Sequence, residues 1–279
     1  MKAISQAFRK AKARGYGALI GYIMAGDPKP ELTTKIADAL IKGGVDILEL
    51  GLPFSDPIAD GPTIQAAGIR ALAAGTTPVK VFEMAKEIRE SSEVPVVIMT
   101  YYNLMFRMGL ERFFRLAKES LVDGVIVPDL PVEEAGDYKK AASKFDMDTI
   151  FLAAPSNSNE RLATIAQCSS GFLYLVSHFG VTGAQSAIED STIQLVKRVL
   201  PLTSGKIPLA VGFGVSKPEH VNRIIMAGAD GVIVGSAFIN LIKAHQESID
   251  ILTKELQATA SELKKATKPL NRHIKFLDS

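Results

Sequence analysis

Eight short apolar runs, separated by stretches of helical period, constrain this chain more than any other feature. They are 18–24 (ALIGYIM), 45–50 (VDILEL), 95–100 (PVVIMT), 124–128 (GVIVP), 148–153 (DTIFLA), 171–176 (GFLYLV), 207–211 (IPLAV) and 230–234 (DGVIV). Most run on without polar alternation, as strands of a parallel sheet covered on both faces do. Parallel neighbours need long crossovers, and amphipathic segments between the runs supply them. The spacing predicts helices at about 31–42, 62–73, 78–91, 110–120, 132–144, 159–167, 190–200, 218–227 and 236–266. Three of these carry start signals: Pro30 before Glu31, Pro131 before Glu133 and Glu134, and Pro218 before Glu219. Strand–helix units repeated eight times with right-handed crossovers predict an α/β fold, a closed (β/α)8 TIM barrel. A doubly wound open sheet is the alternative, but AGDPKPE stands after the first strand where that fold would carry GxGxxG. A faint echo links GGVDILELG (43–51), LVDGVIVPD (121–129) and AGADGVIVG (227–235), as one repeated strand–turn unit would.

With 279 residues and no linker or low-complexity tract, the chain is expected to form one domain over 1–279, with 267–279 a loosely packed tail. Ile4, Phe8 and Ala11 fall at helical spacing, which predicts an extra N-terminal helix. A signal peptide fits less well, because the apolar part, Ala18 to Ala25, is short and broken by glycine. A net charge of +2 with no basic block argues against nucleic acid or an anionic membrane as partner. No run approaches the ~18 apolar residues of a membrane span. Cys168 is the one cysteine, so no intrachain disulfide is possible and a reducing, cytoplasmic setting is expected. His178, His220, His245 and His273 show no ligand spacing, so no metal is expected.

In such barrels the chemistry lies where the strands end. The unusual residues of this chain gather there: Asp27, Glu49, Tyr101, Tyr102, Asn103, Asp129, Tyr174, Ser177 and His178. Glu49, between Leu48 and Leu50, is placed where desolvation would raise its pKa and let it both give and take a proton. The competing reading is a structural ion pair, but no Lys or Arg falls inside any predicted strand. Asp60 could reach the same pocket and stay ionised, so the two carboxyls could divide the work. Asp56, in FSDPI, is read first as a turn former before Pro57. GFG (212–214) and GSA (235–237), at predicted helix starts, suit a phosphate, with the Ser236 hydroxyl beside it. GVTGA (180–184) could close a third side as a loop that moves over substrate.

The stretch LELGLPFSDPIADGP (48–62), with GDP at 26–28, PDLPVEE at 128–134, FLAAPS at 151–156, GVTGA, GFGVS and GSAF, closely resembles the tryptophan synthase alpha chain family. The likeness implies a retro-aldol cleavage of indole-3-glycerol phosphate to indole and glyceraldehyde 3-phosphate. By the same likeness Glu49 is the proton shuttle and Asp60 the acceptor for the indole N–H. Tyr174, Tyr101 and Thr182 are expected to bind substrate, and Tyr22, Ile64, Met99 and Phe213 to wall the indole pocket. On the fourth strand either Ile126 or Val127 could face inward. Gly183, Gly214, Gly235 and Ser236 match phosphate-loop positions. A partner is implied too, the beta chain of an alpha2beta2 tetramer, touched by Asp56, Asn103 and Asp129. Pyridoxal phosphate is expected there, with no cofactor in this chain. Two positions depart from the family pattern: His178 where Arg is frequent, and Tyr22 where Phe is common. The rival readings are another phosphate-binding barrel isomerase or epimerase, a non-catalytic activating subunit, and a free-standing lyase.

Overall fold

The structure is a computed structural model that describes residues 2–176, 185–203, 205–212 and 214–269, with backbone alone for 185–190. Its strands are β1 (Ala18–Met24), β2 (Ile47–Gly51), β3 (Val96–Met99), β4 (Gly124–Ile126), β5 (Asp148–Ile150), β6 (Leu152–Ala153), β7 (Leu173–Val176), β8 (Leu209–Gly212) and β9 (Gly231–Val234). The helices are α1 (Ala3–Ala13), α2 (Thr33–Lys42), α3 (Pro62–Ala73), α4 (Pro78–Ser91), α5 (Tyr102–Met108), α6 (Leu110–Glu119), α7 (Gly136–Lys144), α8 (Asn159–Cys168), α9 (Gln185–Thr203), α10 (Pro218–Met226), α11 (Ser236–Ala244) and α12 (Ile249–Ala266). All strand pairs are parallel, in the order β5-β4-β3-β2-β1-β9-β8-β7-β6. β5 and β6 are two halves of one predicted strand, interrupted at Phe151. β5 pairs with β4 and β6 with β7, so the interrupted strand brings the ends of the sheet together as a TIM barrel.

The predicted strands appear within about two residues of their expected bounds. Two helix expectations need correction. The long helix expected at 236–266 is two, α11 and α12, parted at His245–Ser248, where Ser248 takes an extended conformation and Asp250 lies in the next first turn. That Ser-x-Asp start signal lay inside an otherwise helical pattern. The second correction is an added helix, α5, which Gly109 ends at φ 87°. Its first N–H groups need a partner, and Asp129, from the β4 loop, accepts from Tyr102 N at 3.0 Å.

α1 crosses the foot of the barrel. Its buried face is Ile4, Ala7, Phe8 and Ala11. Phe8 stacks 5.8 Å from Phe172, and a side chain on Gly124 would meet Ile4 Cδ1 at 2.9 Å. Strand starts Gly124 and Gly231 are bare because this helix lies against them.

The foot also explains the sequence echo. Asp46 N donates to Leu19 O at 2.8 Å while its carboxylate accepts from Leu19 N at 2.7 Å. Asp123 grips Val96 the same way, at 2.8 and 2.9 Å, and Asp230 grips Leu209 at 2.8 and 2.9 Å. Ser170 does so with Thr149, at 2.8 Å both ways, its hydroxyl standing in for the carboxylate. Four two-point clamps therefore join β1 to β2, β3 to β4, β5 to β7 and β8 to β9, and each satisfies a strand-end N–H that would otherwise lack a partner. Lys264 Nζ, from α12, ties the first clamp down, donating to Asp46 Oδ2 at 2.6 Å and Gly17 O at 2.8 Å. Of the expected loose tail, Thr267 is buried and its carbonyl accepts from Gly17 N at 2.9 Å; residues 270–279 lie outside the described residues.

Candidate active site

Register decides which side chains meet inside the barrel. Tyr22 on β1 lies level with Glu49 on β2, and Glu49 with Val97 on β3. Ile126 lies level with Met99 and Ile150, and two residues beyond the inward-facing Gly124. The period of two therefore turns Ile126 inward and Val127 outward. Counting three residues from each clamping aspartate reaches Glu49, Ile126 and Ile233, all buried. Glu49 thus holds a core position that two sister units fill with isoleucine.

The consequence is electrostatic. Glu49 is 1% exposed, and neither carboxyl oxygen has a hydrogen-bond partner among the described residues. Burial first, and the negative charge of Asp60 second, push its pKa up to about 8. Near neutral pH it holds its proton. Asp60 is half-buried in the loop between β2 and α3. Burial raises its pKa to about 6, while the Tyr101 hydroxyl, turned toward its carboxylate, draws it down. At neutral pH one carboxyl is an acid and the other an anion, the division that acid–base chemistry on carbon needs.

The loop that carries Asp60 is pinned at several points. Ala59 N donates to the Tyr101 hydroxyl at 3.0 Å, and Gln65 Nε2 donates to Asp60 O at 2.9 Å. Phe54 stacks on Tyr101 with centroids 5.2 Å apart. Pro62 then opens α3 at its first turn. Farther along α3, Arg70 reaches back to the β1 loop, donating to both carboxylate oxygens of Asp27 at 2.7 Å each.

Two tyrosines form the floor. A side chain on Gly51 would come within 2.2 Å of the Tyr22 hydroxyl, and one on Gly212 within 2.3 Å of the Tyr174 hydroxyl. The Tyr22 ring also lies against Gly235, whose absent side chain would be 3.1 Å from Cδ1. Bare strand ends at 51, 212 and 235 therefore make room for the two rings. Met99 and Tyr101 are buried and Ile64 is half-buried beside them.

On the far side, Gly214 adopts φ 77° after β8, and Gly235 precedes α11, which starts at Ser236. The free N–H groups of that first turn, with the helix dipole, suit an anion. Thr182, Gly183, Phe213 and His178 lie outside the described residues. Asp56 and Asn103 are exposed; Asp129 is half-buried and occupied in capping α5. Among the described residues no cluster of His, Cys, Asp and Glu could hold a metal ion, and no helix is long and apolar enough to cross a membrane.

Sequence reading missed the Asp27–Arg70 pair and the part that Gly51, Gly212 and Gly235 play in seating the two tyrosine rings, 212 and 235 having been read only as glycines of an anion loop. A signal for the pair existed: Arg70 is the one charge in AAGIRALAAG (66–75), a stretch that otherwise reads as buried helix. The seating of the rings had none, since a glycine at a strand end is also an ordinary turn residue.

The sequence profile described as tryptophan synthase alpha chain matches residues 8–268. The tryptophan synthase alpha chain of Methanoregula boonei is 49% identical over 253 residues, 91% of this chain and 95% of that protein. That of Methanothermobacter thermautotrophicus is 48% identical over 249 residues, 89% and 92%. Among solved structures, the tryptophan synthase alpha chain of Legionella pneumophila superposes with a TM-score of 0.84 at 37% identity, covering 96% of this chain and 97% of that one. A chain of the tryptophan synthase a2b2 complex from the hyperthermophile Pyrococcus furiosus superposes with a TM-score of 0.83 at 42% identity, covering 89% and 98%.

Proposed function

The chain belongs to the tryptophan synthase alpha chain family, and from that premise we propose that its barrel mouth cleaves indole-3-glycerol phosphate by a proton shuttle at Glu49. The products are indole and glyceraldehyde 3-phosphate. The observation that carries this reading is the Glu49 carboxyl, buried, unpaired among the described residues and protonated near neutrality. Its proton goes to C3 of the indole ring. The bond from C3 to the carbinol carbon then breaks, its electron pair restoring the aromatic ring. The carbinol hydroxyl loses its proton as it becomes the aldehyde, and Glu49 recovers one. Asp60, an anion, accepts the indole N–H and stabilises the positive charge that protonation places on the ring. Tyr174, Met99, Tyr101, Ile64 and Ile126 enclose the ring, with Thr182 and Phe213 assigned to the same pocket by resemblance. Gly214, Gly235 and Ser236 hold the phosphate, joined by Gly183.

The test is turnover by the purified chain, alone and with a beta subunit, following indole and glyceraldehyde 3-phosphate. Asp60→Asn should lower kcat/KM by roughly 10²-fold, as loss of one preorganised charge contact does. kcat/KM should fall below about pH 6 as Asp60 takes up a proton and above about pH 8 as Glu49 loses one. In Asp60→Asn the upper limb should move to lower pH, because the charge that helps hold the proton on Glu49 is gone. An unmoved upper limb would show that the two carboxyls do not act on each other.

The partner is a beta subunit, and its docking face is proposed to be the rim formed by the 53–60 loop and α5. Ile58 is 83% exposed and Phe106 68% exposed on that rim. Tyr101 links its two halves, holding Ala59 on one side and preceding α5 on the other. Pyridoxal phosphate belongs to the beta subunit, and the cleavage is assigned to side chains of this chain alone. A cytoplasmic setting accords with the lone Cys168. Asp56, exposed on the same loop, is assigned to the contact. Asp56→Ala should weaken stimulation by the beta subunit while leaving the rate of the isolated chain nearly unchanged. Equal loss of both rates would remove Asp56 from the interface.

A further inference from the structure

The Tyr22 ring is buried, while its hydroxyl, which makes no hydrogen bond among the described residues, opens to the barrel mouth. The residue is 6% exposed, on the same level as Glu49. A ligand that displaces water from a phenol must offer it a hydrogen bond in return or lose free energy. Its ring needs no such help, lying against Gly235 at one end, while the hydroxyl stands over Gly51 at the other. The ring therefore spans from a phosphate-loop glycine to the strand end just past Glu49. Burial first, and then the negative charges of Asp60 and Glu49, raise the pKa of the hydroxyl, which therefore keeps its proton and can donate it to a hydrogen bond.

We propose that the Tyr22 hydroxyl hydrogen-bonds the hydroxyl-bearing carbon chain of the substrate, so that Tyr22 selects a hydroxylated linker between the aromatic ring and the phosphate. This rests on the functional reading above. The ring pocket lies on the Asp60 side and the anion site at Gly235 and Ser236. A ligand joining the two must pass the Tyr22 hydroxyl with its chain carbons. The substrate chain carries two hydroxyls there, each able to give and take a hydrogen bond. A group built to pair with a substrate hydroxyl discriminates against an analogue without it, because the protein group is then left buried and unpaired.

Two ligands and one atom make the test. Tyr22→Phe removes the hydroxyl and keeps the ring between Gly51 and Gly235. Cleavage of indole-3-glycerol phosphate should fall about ten-fold in kcat/KM, the order expected for one buried hydrogen bond. Binding of an indolylpropyl phosphate that lacks both chain hydroxyls, measured by calorimetry, should be unchanged or tighter. Equal weakening toward both ligands would assign Tyr22 to packing and overturn the proposal. So would unaltered kcat/KM in a wild-type background that turns over. A wild-type chain that cleaves nothing, with or without the beta subunit, would instead defeat the functional reading and this inference with it.

Discussion

Glu49→Gln should abolish indole release and at the same time make the folded chain more stable in alkaline solution. The rate loss follows from its role. Glutamine is nearly the same shape but carries no transferable proton, and removal of a positioned acid–base group lowers kcat by about 10²–10⁴-fold. The stability gain follows from linkage. The carboxyl has a pKa of about 8 when folded, against 4.5 for the unperturbed group. Between those values the folded chain holds a proton that the unfolded chain has released, so stability falls as pH rises through the window. Above about pH 8 the loss is complete and levels off. A tenfold difference in proton affinity between the folded and unfolded chains corresponds to roughly 1.4 kcal/mol, which makes the whole effect a few kcal/mol at most. Glutamine does not titrate and does not carry the penalty. Thermal unfolding of both proteins from pH 5 to pH 9 would show their Tm values separating as pH rises. Parallel curves would mean that Glu49 is solvated or paired in solution, and the proton-shuttle reading would lose its physical basis.

The second large effect concerns Asp27 and Arg70. Arg70→Met should cost roughly 3–5 kcal/mol, the range for breaking a buried ion pair from one side. The Asp27 side chain is fully buried and the Arg70 side chain 23% exposed, so removal of the guanidinium leaves a carboxylate inside the protein without its cation. Burial already raises the pKa of Asp27, and the hydrogen bonds and charge of Arg70 hold it back. Without Arg70 the pKa rises further. The destabilisation is then present above the ordinary aspartate range and shrinks in acid, as Asp27 takes up a proton. A double variant, Asp27→Leu with Arg70→Met, should recover much of the loss, since two apolar side chains leave no orphan charge. Denaturant unfolding of the single and double variants checks both statements. A single variant as stable as the wild type would show the pair to be solvated. The pair also fastens α3, which begins two residues after Asp60. Activity should therefore fall along with stability.

Legibility in the sequence followed the physics of each feature. The strands were readable because burial on both faces leaves long apolar runs, and β2 stood out because Glu49 breaks such a run. Asp60 was readable through its loop, since two prolines and a glycine near a carboxylate describe a stiff support. The break of the fifth strand at Phe151 was not readable, because a change of hydrogen-bonding partner leaves no mark on an apolar sequence. The start of α5 escaped because its cap, Asp129, comes from 27 residues away. The hidden start of α12 is a contrast: Ser248 and Asp250 were present, but continuous amphipathic spacing on both sides outweighed them. Inward and outward positions on β4 became distinguishable only when register tied Ile126 to Met99.

The four clamps at the foot have a consequence beyond stability. They divide the ring into four staves of two strands each, β5 and β6 counting as the one interrupted strand, and every clamp falls within a stave. The seams run between β2 and β3, between β4 and β5, between β7 and β8, and between β9 and β1. α1, which precedes β1, and α11 and α12, which follow β9, flank the last of these. Opening the polypeptide at any other seam and rejoining the old ends would leave every clamp whole. In this sense the foot of the barrel has four joints at which the path of the chain is free of the clamps, and the first stave is tied further, by Lys264.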